Sequence, residues 1–159
     1  VSGISISNDD FTEFVLGLLN SSNIDPSYLC LEITETAAIA HISQALKFIH
    51  TMKKLNVKFA LDDFGSGLSS FGYLKDLPVD YLKIDGSLIK NIVNEASDRT
   101  IVDAIRSIAK KMKIKTIAEF VENESIHQTL AEIGIDYAQG YGIHKPEECN
   151  PKVLSSLMK

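Results

Sequence analysis

Acidic side chains stand at or near the ends of apolar segments along this chain, and their types suit metal-assisted chemistry. The polar residues at these ends are Glu32 and Glu35, Asp62 and Asp63, Lys83 and Asp85, Glu119 and Glu122, and Gln139. If the segments are parallel strands, their carboxyl ends meet at one face and these side chains converge there. Carboxylates gathered in one place repel each other unless cations lie between them. Oxygen ligands without His or Cys favour Mg²⁺ or Mn²⁺ over zinc.

The adjacent pair Asp62-Asp63 is the most specific of these features. Neighbouring side chains of a regular strand point to opposite faces, so both can reach one site only if the strand ends there. The residues Phe64-Gly65-Ser66-Gly67 that follow permit such a break. Two neighbouring carboxylates can hold two metal ions about 3.5–4 Å apart, as in two-metal hydrolases. Lys83 supplies a cation that could orient a water molecule or a phosphate.

Simpler explanations apply to part of this set. Glu32 and Glu119 lie inside apolar segments, where an unpaired carboxylate is costly, so a purely structural role for them is disfavoured. Asp63 could instead cap a turn. Solvated charges and helix N-terminal acids are common at or beyond strand ends. The sequence therefore leaves the role of three acids open on pattern alone, namely Glu35, Asp85 and Glu122.

The apolar segments alternate with helical patterns, which predicts strand-helix units and a largely parallel sheet. The six predicted strands are Ser2–Ser7, Leu29–Thr34, Val57–Asp62, Tyr81–Ile84, Lys115–Glu119 and Asp136–Gln139. Apolar residues at helical spacing predict helices over Phe11–Leu19, Ser43–Leu55 and Asp98–Met112. In the last helix, the face predicted to pack on the sheet contains Ile101, Ala104, Ile105, Ile108, Ala109 and Met112.

Local signals mark several helix ends. Asp10 and Glu13 are spaced as a capping pair for the first helix. Asp25-Pro26 suits the start of a short helical turn, and Gly134 is placed to end a helix.

The alternation predicts an α/β fold in a single domain that spans residues 1–159. Repeated strand-helix units form either an open doubly wound sheet or a (β/α)₈ barrel, and periodicity alone does not choose between them. The acids at successive strand ends favour the barrel. Because such a barrel usually needs about 200 to 250 residues, we expect an incomplete TIM-like barrel with about six of its eight strand-helix units.

Charge and composition argue against several partners. The net charge of −5, with no long stripe of Lys and Arg on any predicted helix, disfavours polymeric nucleic acid. Cys30 and Cys149 have neither the spacing of a zinc site nor the density of a disulfide scaffold, which indicates a reducing cytoplasm. No stretch approaches the roughly 20 apolar residues of a membrane span, so no membrane segment is expected in this chain.

Five short segments resemble the EAL domain family in order and spacing. They are LEITE at residues 31–35, ALDDFGSG at 60–67, DYLKID at 80–85, AEFVE at 118–122 and AQGY at 138–141. The resemblance runs from about Val1 to Lys145. It implies a modified (β/α)₈ barrel that cuts one phosphodiester of cyclic di-GMP to give linear pGpG, using two Mg²⁺ or Mn²⁺ ions.

The resemblance also implies a role for each matched residue. The implied metal ligands are Glu32, Asp62, Asp63 and Glu119, and the implied catalytic residues are Lys83, which holds the attacking water, and Glu119 as general base. Glu35 would order the loop after the Asp62-Asp63 pair, on which dimerisation and metal binding depend. Glu122 and Gln139 would line the site. Phe120 departs from the family because many members have Gly there, which leaves less room beside Glu119.

Two family features are not found in these 159 residues. A Glu-x-Leu strand, whose Glu binds metal, and a metal-binding Asn normally precede the segment that aligns with Val1-Ser2. The chain alone is therefore expected to be inactive or very weak, and to cover open strand edges by forming a homodimer or another self-association. One alternative is a degenerate EAL module that binds cyclic di-GMP, or acts in protein interaction, without catalysis. Another is an enolase-like barrel enzyme, which also uses carboxylates and a Lys on successive strands.

Overall fold

The computed structural model, which describes residues 1–67 and 71–148, shows an α/β fold built on one parallel sheet. Its strands are β1 (Cys30–Thr34), β2 (Lys58–Phe64), β3 (Tyr81–Ile84), β4 (Lys115–Ala118) and β5 (Tyr137–Ala138). Their order in the sheet is β1-β2-β3-β4-β5, and every neighbouring pair is parallel. Each strand lies beside the next one in sequence, as in a barrel, whereas a doubly wound sheet reverses its order at a switch point.

Helices connect these strands. They are α1 (Gly3–Ile6), α2 (Asp9–Ser21), α3 (Glu35–Ala40), α4 (Ile42–Lys53), α5 (Gly86–Ile89), α6 (Ala96–Lys111) and α7 (Glu124–Ile133), with 3₁₀ turns at Pro26–Tyr28 and Tyr73–Lys75. Helices α3 and α4 join β1 to β2, α5 and α6 join β3 to β4, and α7 joins β4 to β5. Within the described ranges, none of these helices combines the length and apolar character that crossing a bilayer requires.

Five of the six predicted strands are confirmed, but the first is wrong. Residues 3–6 form helix α1 because serine side chains bond to nearby backbone groups. The Ser2 side chain accepts a hydrogen bond from Ser5 N, and Ser7 Oγ donates to Gly3 O. Such local bonds compete with strand pairing and favour a helix start.

The predicted helix ends are partly confirmed. Asp25 caps the 3₁₀ turn, and Gly134 ends α7 in the left-handed conformation at φ 87°. The predicted capping pair Asp10 and Glu13 is wrong. Helix α2 begins at Asp9, and its cap is the side chain of Asn8, which accepts a hydrogen bond from Asp10 N at 2.8 Å.

The core lies between the sheet and the helices that cover it. Its largest fully buried side chains include Phe48 of α4, Phe59 of β2 and Leu82 of β3. Helix α6 contributes Val102, Ile105 and Ala109, whereas Ile101 is 44% exposed and Ala104 is also exposed. The predicted α6 face is therefore rotated, because apolar residues at both 101 and 102 fit a helical stripe and only packing on the sheet selects Val102.

Two carboxylates tie neighbouring strands together at the amino edge of the sheet. Asp80, directly before β3, accepts hydrogen bonds from Phe59 N of β2 at 2.9 Å and from Lys53 Nζ of α4 at 2.8 Å. Asp136, directly before β5, accepts hydrogen bonds from the backbone N and side chain of Thr116 in β4. Asp80 therefore fixes the register of β3 against β2, and Asp136 fixes that of β5 against β4. The carboxyl ends of these strands carry the polar residues singled out in the sequence.

Replacing Asp80 with Ala is expected to lower the free energy of unfolding by about 1–3 kcal/mol, because Phe59 N–H loses its acceptor in a half-buried position. Urea unfolding followed by circular dichroism measures this change. The matched control is Asp76→Ala, since Asp76 is exposed and its side chain makes no hydrogen bond among the described residues. Equal stability of the two variants would contradict the register role of Asp80.

Candidate active site at the carboxyl edge of the sheet

The ammonium group of Lys83 lies at the centre of an acidic cluster. Lys83 is in β3 and its side chain is only 5% exposed. Its Nζ atom lies 2.8 Å from Asp62 Oδ1, 2.9 Å from Glu119 Oε1 and 3.0 Å from Glu32 Oε2. These carboxylates come from β2, from the residue after β4 and from β1. The structure thus brings together side chains that are up to 87 residues apart (119 − 32) in the chain.

The backbone at Asp63 explains how two adjacent aspartates reach one site. Asp63 has φ 57°, in the left-handed region, and the pairing of β2 with β3 shifts register between Leu61 and Phe64. The adjacent aspartates predict a strand that ends at Asp62-Asp63, but β2 continues to Phe64. An irregularity inside the strand, rather than its end, therefore turns both carboxylates toward one site.

Burial and charge shift the pKa values in this cluster. For Lys83, burial alone would lower the pKa, but contacts with Asp62, Glu119 and Glu32 outweigh burial and raise it, so the ammonium stays charged. For Glu119, burial raises the pKa, Lys83 opposes that rise, and Asp62 and Asp63 add to it. The pKa of Asp63 is raised by burial and then by the neighbouring charges of Asp62 and Asp85.

The cluster fits a divalent cation. Carboxylate oxygens of Asp62, Asp63 and Glu119 lie within 4.8 Å of one another. Asp62 Oδ1 is buried and, although it lies 2.8 Å from Lys83 Nζ, accepts no hydrogen bond of regular geometry within the described residues. Three carboxylates contact the Lys83 ammonium and a fourth, Asp63, lies near two of them, so the cluster has an excess negative charge that an ion such as Mg²⁺ or Mn²⁺ can neutralise.

Glu35 lies apart from this cluster and holds the segment that follows β2. It is buried in the first turn of α3. Its Oε2 atom accepts a hydrogen bond from Gly65 N at 3.3 Å, and its Oε1 atom accepts one from the hydroxyl of Tyr73. One carboxylate therefore joins the two described ends of the segment between Gly65 and Tyr73. Tyr73 is not part of any motif in the sequence, and only the fold shows its contact with Glu35.

Gln139 and Glu122 both line a pocket of about 670 Å³ that opens next to Glu119. Gln139 Nε2 donates a hydrogen bond to Glu119 Oε1 at 2.8 Å, so the amide helps to orient this carboxylate. Glu122 is exposed on the pocket wall. Tyr141 and His144 also line the pocket, although the sequence assigned neither of them a role in the site. Asp85, whose role the sequence left open, caps α5 by accepting a hydrogen bond from Ser87 N.

Phe120 packs over the start of α5 and also lines the pocket beside Glu119. It has φ 53°, and its ring lies against Gly86, where a Cβ atom would collide with it. Lys90 Nζ lies 4.5 Å from the centre of the same ring. A side chain at Gly140 would likewise collide with the backbone of Val121. Gly86 and Gly140 thus make room for the turn that follows Glu119 and for the Phe120 ring over α5.

The singly wound parallel sheet and the acidic cluster at its carboxyl edge define a barrel-type α/β domain with a converging carboxylate site. The sequence matches the profile of the EAL domain family over residues 1–146. The chain belongs to the EAL domain family. This membership excludes the enolase-like alternative.

Curated relatives include enzymes of one named activity. The cyclic di-GMP phosphodiesterase PdeB of Shewanella oneidensis is 44% identical over 147 residues, which cover 92% of this chain and 17% of PdeB. The cyclic di-GMP phosphodiesterase PdeA of Borreliella burgdorferi is also 44% identical over 147 residues, which cover 22% of that protein. The chain thus spans less than a quarter of the length of these relatives.

Solved structures share the fold. A cyclic di-GMP complex of the PaMucR phosphodiesterase superposes with a TM-score of 0.86 at 30% identity, over 97% of this chain and 62% of that one. The EAL domain of Mycobacterium smegmatis DcpA superposes with a TM-score of 0.87 at 33% identity, over 99% of this chain and 70% of that domain's chain. The FimX EAL domain of Pseudomonas aeruginosa, bound to cyclic di-GMP, superposes with a TM-score of 0.88 at 27% identity, over 94% of this chain and 61% of that one. The five-stranded sheet matches these barrel-like domains over part of their length, which agrees with the expected incomplete barrel.

Replacing Lys83 with Met is expected to lower the free energy of unfolding by about 3 kcal/mol at pH 7 without added metal, because carboxylates that face one another lose their cation. The pKa of Glu119 is already raised in the folded chain and rises further without Lys83. The folded variant therefore binds protons more tightly than its unfolded state. Its loss of unfolding free energy, relative to the unsubstituted chain, should shrink as the pH falls from 7 toward 5.

Guanidinium chloride unfolding at the two pH values measures both effects. The control is Lys47→Met, which breaks an exposed ion pair with Asp9 and should change stability by less than about 0.5 kcal/mol. A Lys83 variant as stable as this control at pH 7 would rule out the proposed charge balance.

Proposed function

We propose that this chain is the C-terminal portion of a single EAL domain that hydrolyses cyclic di-GMP to linear pGpG with Mg²⁺ or Mn²⁺. The observation that carries the proposal is the cluster in which Lys83 meets carboxylates from three other strand ends. The names of the relatives support the activity and the ligand, and a converging acidic site suits phosphodiester cleavage.

Asp62, Asp63 and Glu119 would hold the metal ions, and Glu32, which contacts Lys83 Nζ at 3.0 Å, would join them as a ligand. Bound ions would supply a water of lowered pKa and positive charge for the phosphate. The donor set supports this assignment because it contains only oxygens and carries more negative charge than Lys83 balances.

The chain's own residues have separable roles in this scheme. Glu119 would accept the proton of the attacking water. Burial raises its pKa, which makes it a stronger base than an exposed glutamate. Lys83 would donate hydrogen bonds to that water or to the phosphate. Gln139 would keep the Glu119 carboxylate oriented, as its 2.8 Å hydrogen bond suggests.

Glu35 and Glu122 would act outside the cluster. Glu35 would keep the segment after the Asp62-Asp63 pair ordered, which its bonds to Gly65 N and to the Tyr73 hydroxyl support. Glu122 would contact the substrate from the wall of the 670 Å³ pocket.

In the complete domain, Glu119→Gln is expected to reduce kcat by at least about 100-fold while the affinity for cyclic di-GMP changes little. The substitution removes the proton acceptor and keeps the shape of the side chain. Product chromatography measures turnover, and calorimetry in Ca²⁺ measures binding. Glu95→Gln, on the exposed start of α6, is the matched control and should behave as the unsubstituted domain. Near-normal turnover of the Glu119 variant would remove Glu119 from this role.

Residues 1–159 by themselves are expected to show little or no turnover with Mg²⁺, because the resemblance places two further metal ligands before Val1. Ordinary turnover by the purified chain would refute this expectation. Binding of cyclic di-GMP by the complete domain without hydrolysis would instead support the receptor function.

We also propose that the chain self-associates. No strand pairs with the outer edge of β1 in the described residues, and exposed apolar side chains include Ile4, Phe14, Leu18 and Tyr28. Sedimentation equilibrium of the purified chain tests this association, and a monomer at all concentrations would exclude it.

A further inference from the structure

A pocket of about 400 Å³ lies at the amino edge of the sheet, where β4 and β5 begin, at the end opposite the acidic cluster. Its charged lining consists of Arg106, Lys110, Lys113, Lys115 and Asp136. Four of these side chains are cations and one is an anion, although the whole chain carries a net charge of −5. The local charge is therefore opposite in sign to that of the protein.

The single carboxylate in this lining is already engaged. Asp136 Oδ1 lies 2.5 Å from Lys115 Nζ, and Oδ2 accepts hydrogen bonds from the backbone N and side chain of Thr116. Burial alone would raise the pKa of Asp136, but these bonds outweigh burial and lower it. Asp136 and Lys115 neutralise each other, which leaves the positive charges of Arg106, Lys110 and Lys113 without a carboxylate partner in the described part of the chain.

The guanidinium group of Arg106 is held against the backbone of Gly134. Its Nε atom donates to Gly134 O at 3.4 Å, and a Cβ atom at residue 134 would lie 2.9 Å from Nη2. The other arginine of α6, Arg99, pairs with Glu132 at 2.8 Å. Arg106 is thus oriented by one long hydrogen bond and keeps free donors at the pocket wall, and its planar fork suits a phosphate group.

Lys113 occupies a strained backbone position. It follows the end of α6 with φ 61°, a conformation that Gly or Asn adopts readily and Lys does not. After α4, the corresponding left-handed residue is Asn56, at φ 66°. Lys110 lies in the last turn of α6, where a cation interacts favourably with the helix dipole, so its presence alone does not indicate a ligand site. The strained backbone of Lys113 places its side chain in the lining of the pocket, at a position where glycine would fit with less strain.

We propose that this pocket, the α6 basic pocket, binds a small molecule with two adjacent phosphate groups. Arg106 would hold one phosphate by its planar fork, and Lys110 and Lys113 would contact the other. The volume lies in the range of small-ligand sites, which is about 300–1,000 Å³. The negative net charge of the chain disfavours a nucleic acid polymer as the occupant. The pocket uses no residue of the proposed hydrolytic site.

Calorimetric titration of the full chain with pyrophosphate tests this proposal. EDTA is included so that no metal ion can hold pyrophosphate at the acidic cluster. We expect saturable binding that weakens as the salt concentration rises. Lys110→Gln is expected to weaken binding about tenfold, whereas Lys111→Gln, the neighbouring lysine that does not line the pocket, should change it less than about twofold. Absence of saturable binding, or equal losses in the two variants, would overturn the proposal.

Lys113→Gly separates a binding role from a structural one. Because glycine relieves the strained φ, the variant should melt about 2–4 °C higher than the unsubstituted chain while binding pyrophosphate about tenfold more weakly. Unchanged pyrophosphate affinity in this variant would contradict the proposal. A parallel titration with ADP distinguishes a nucleotide, which would bind more tightly than pyrophosphate, from a ligand recognised by its phosphates alone.

Discussion

The contact of one buried ammonium with three carboxylates is the interaction on which the arrangement of this domain depends. Lys83, Asp62 and Glu32 lie on three neighbouring parallel strands and Glu119 directly follows a fourth, so the parallel sheet brings all four side chains to one edge. Their charges do not balance. The imbalance makes the cluster costly without a further cation, and its donors are all oxygens, the ligand type that Mg²⁺ and Mn²⁺ prefer.

The opposite edge of the sheet supplies the rigidity that this cluster needs. Asp80 and Asp136 occupy equivalent places before β3 and β5, and each bonds to the preceding strand of the sheet. A shift of one residue in either strand would turn every side chain to the other face. Fixing the register at the amino edge therefore fixes the direction of Lys83 and the placement of Glu119 at the carboxyl edge.

Two of the four non-glycine residues with positive φ in the described residues lie beside the acidic cluster. Asp63 and Phe120 both adopt positive φ, and each is adjacent to a residue that contacts Lys83. Space for the second of these turns comes from Gly86 and Gly140, at which any side chain would collide with Phe120 or Val121. Strain of this kind persists only where the surrounding packing holds it, which is common at functional sites.

The sequence by itself determined the alternation of strands and helices, five strand positions and the polar residues at their ends. These features follow from hydrophobic periodicity and from the order of the motifs, which are local properties of the chain. The sequence was wrong for Ser2–Ser7, where side-chain capping outweighs an apolar alternation, and it could not choose between Ile101 and Val102 as the buried residue of α6.

Only the tertiary structure decided which charges meet. The irregularity at Asp63, the tie from Glu35 to Gly65 and Tyr73, and the α6 basic pocket each depend on residues that are distant in sequence or on a single backbone dihedral. Hydrophobic periodicity carries no information on long-range contacts or on single backbone dihedrals. Sequence therefore located the carboxylates of the site, and long-range packing set their distances, their pKa shifts and their capacity to hold a cation.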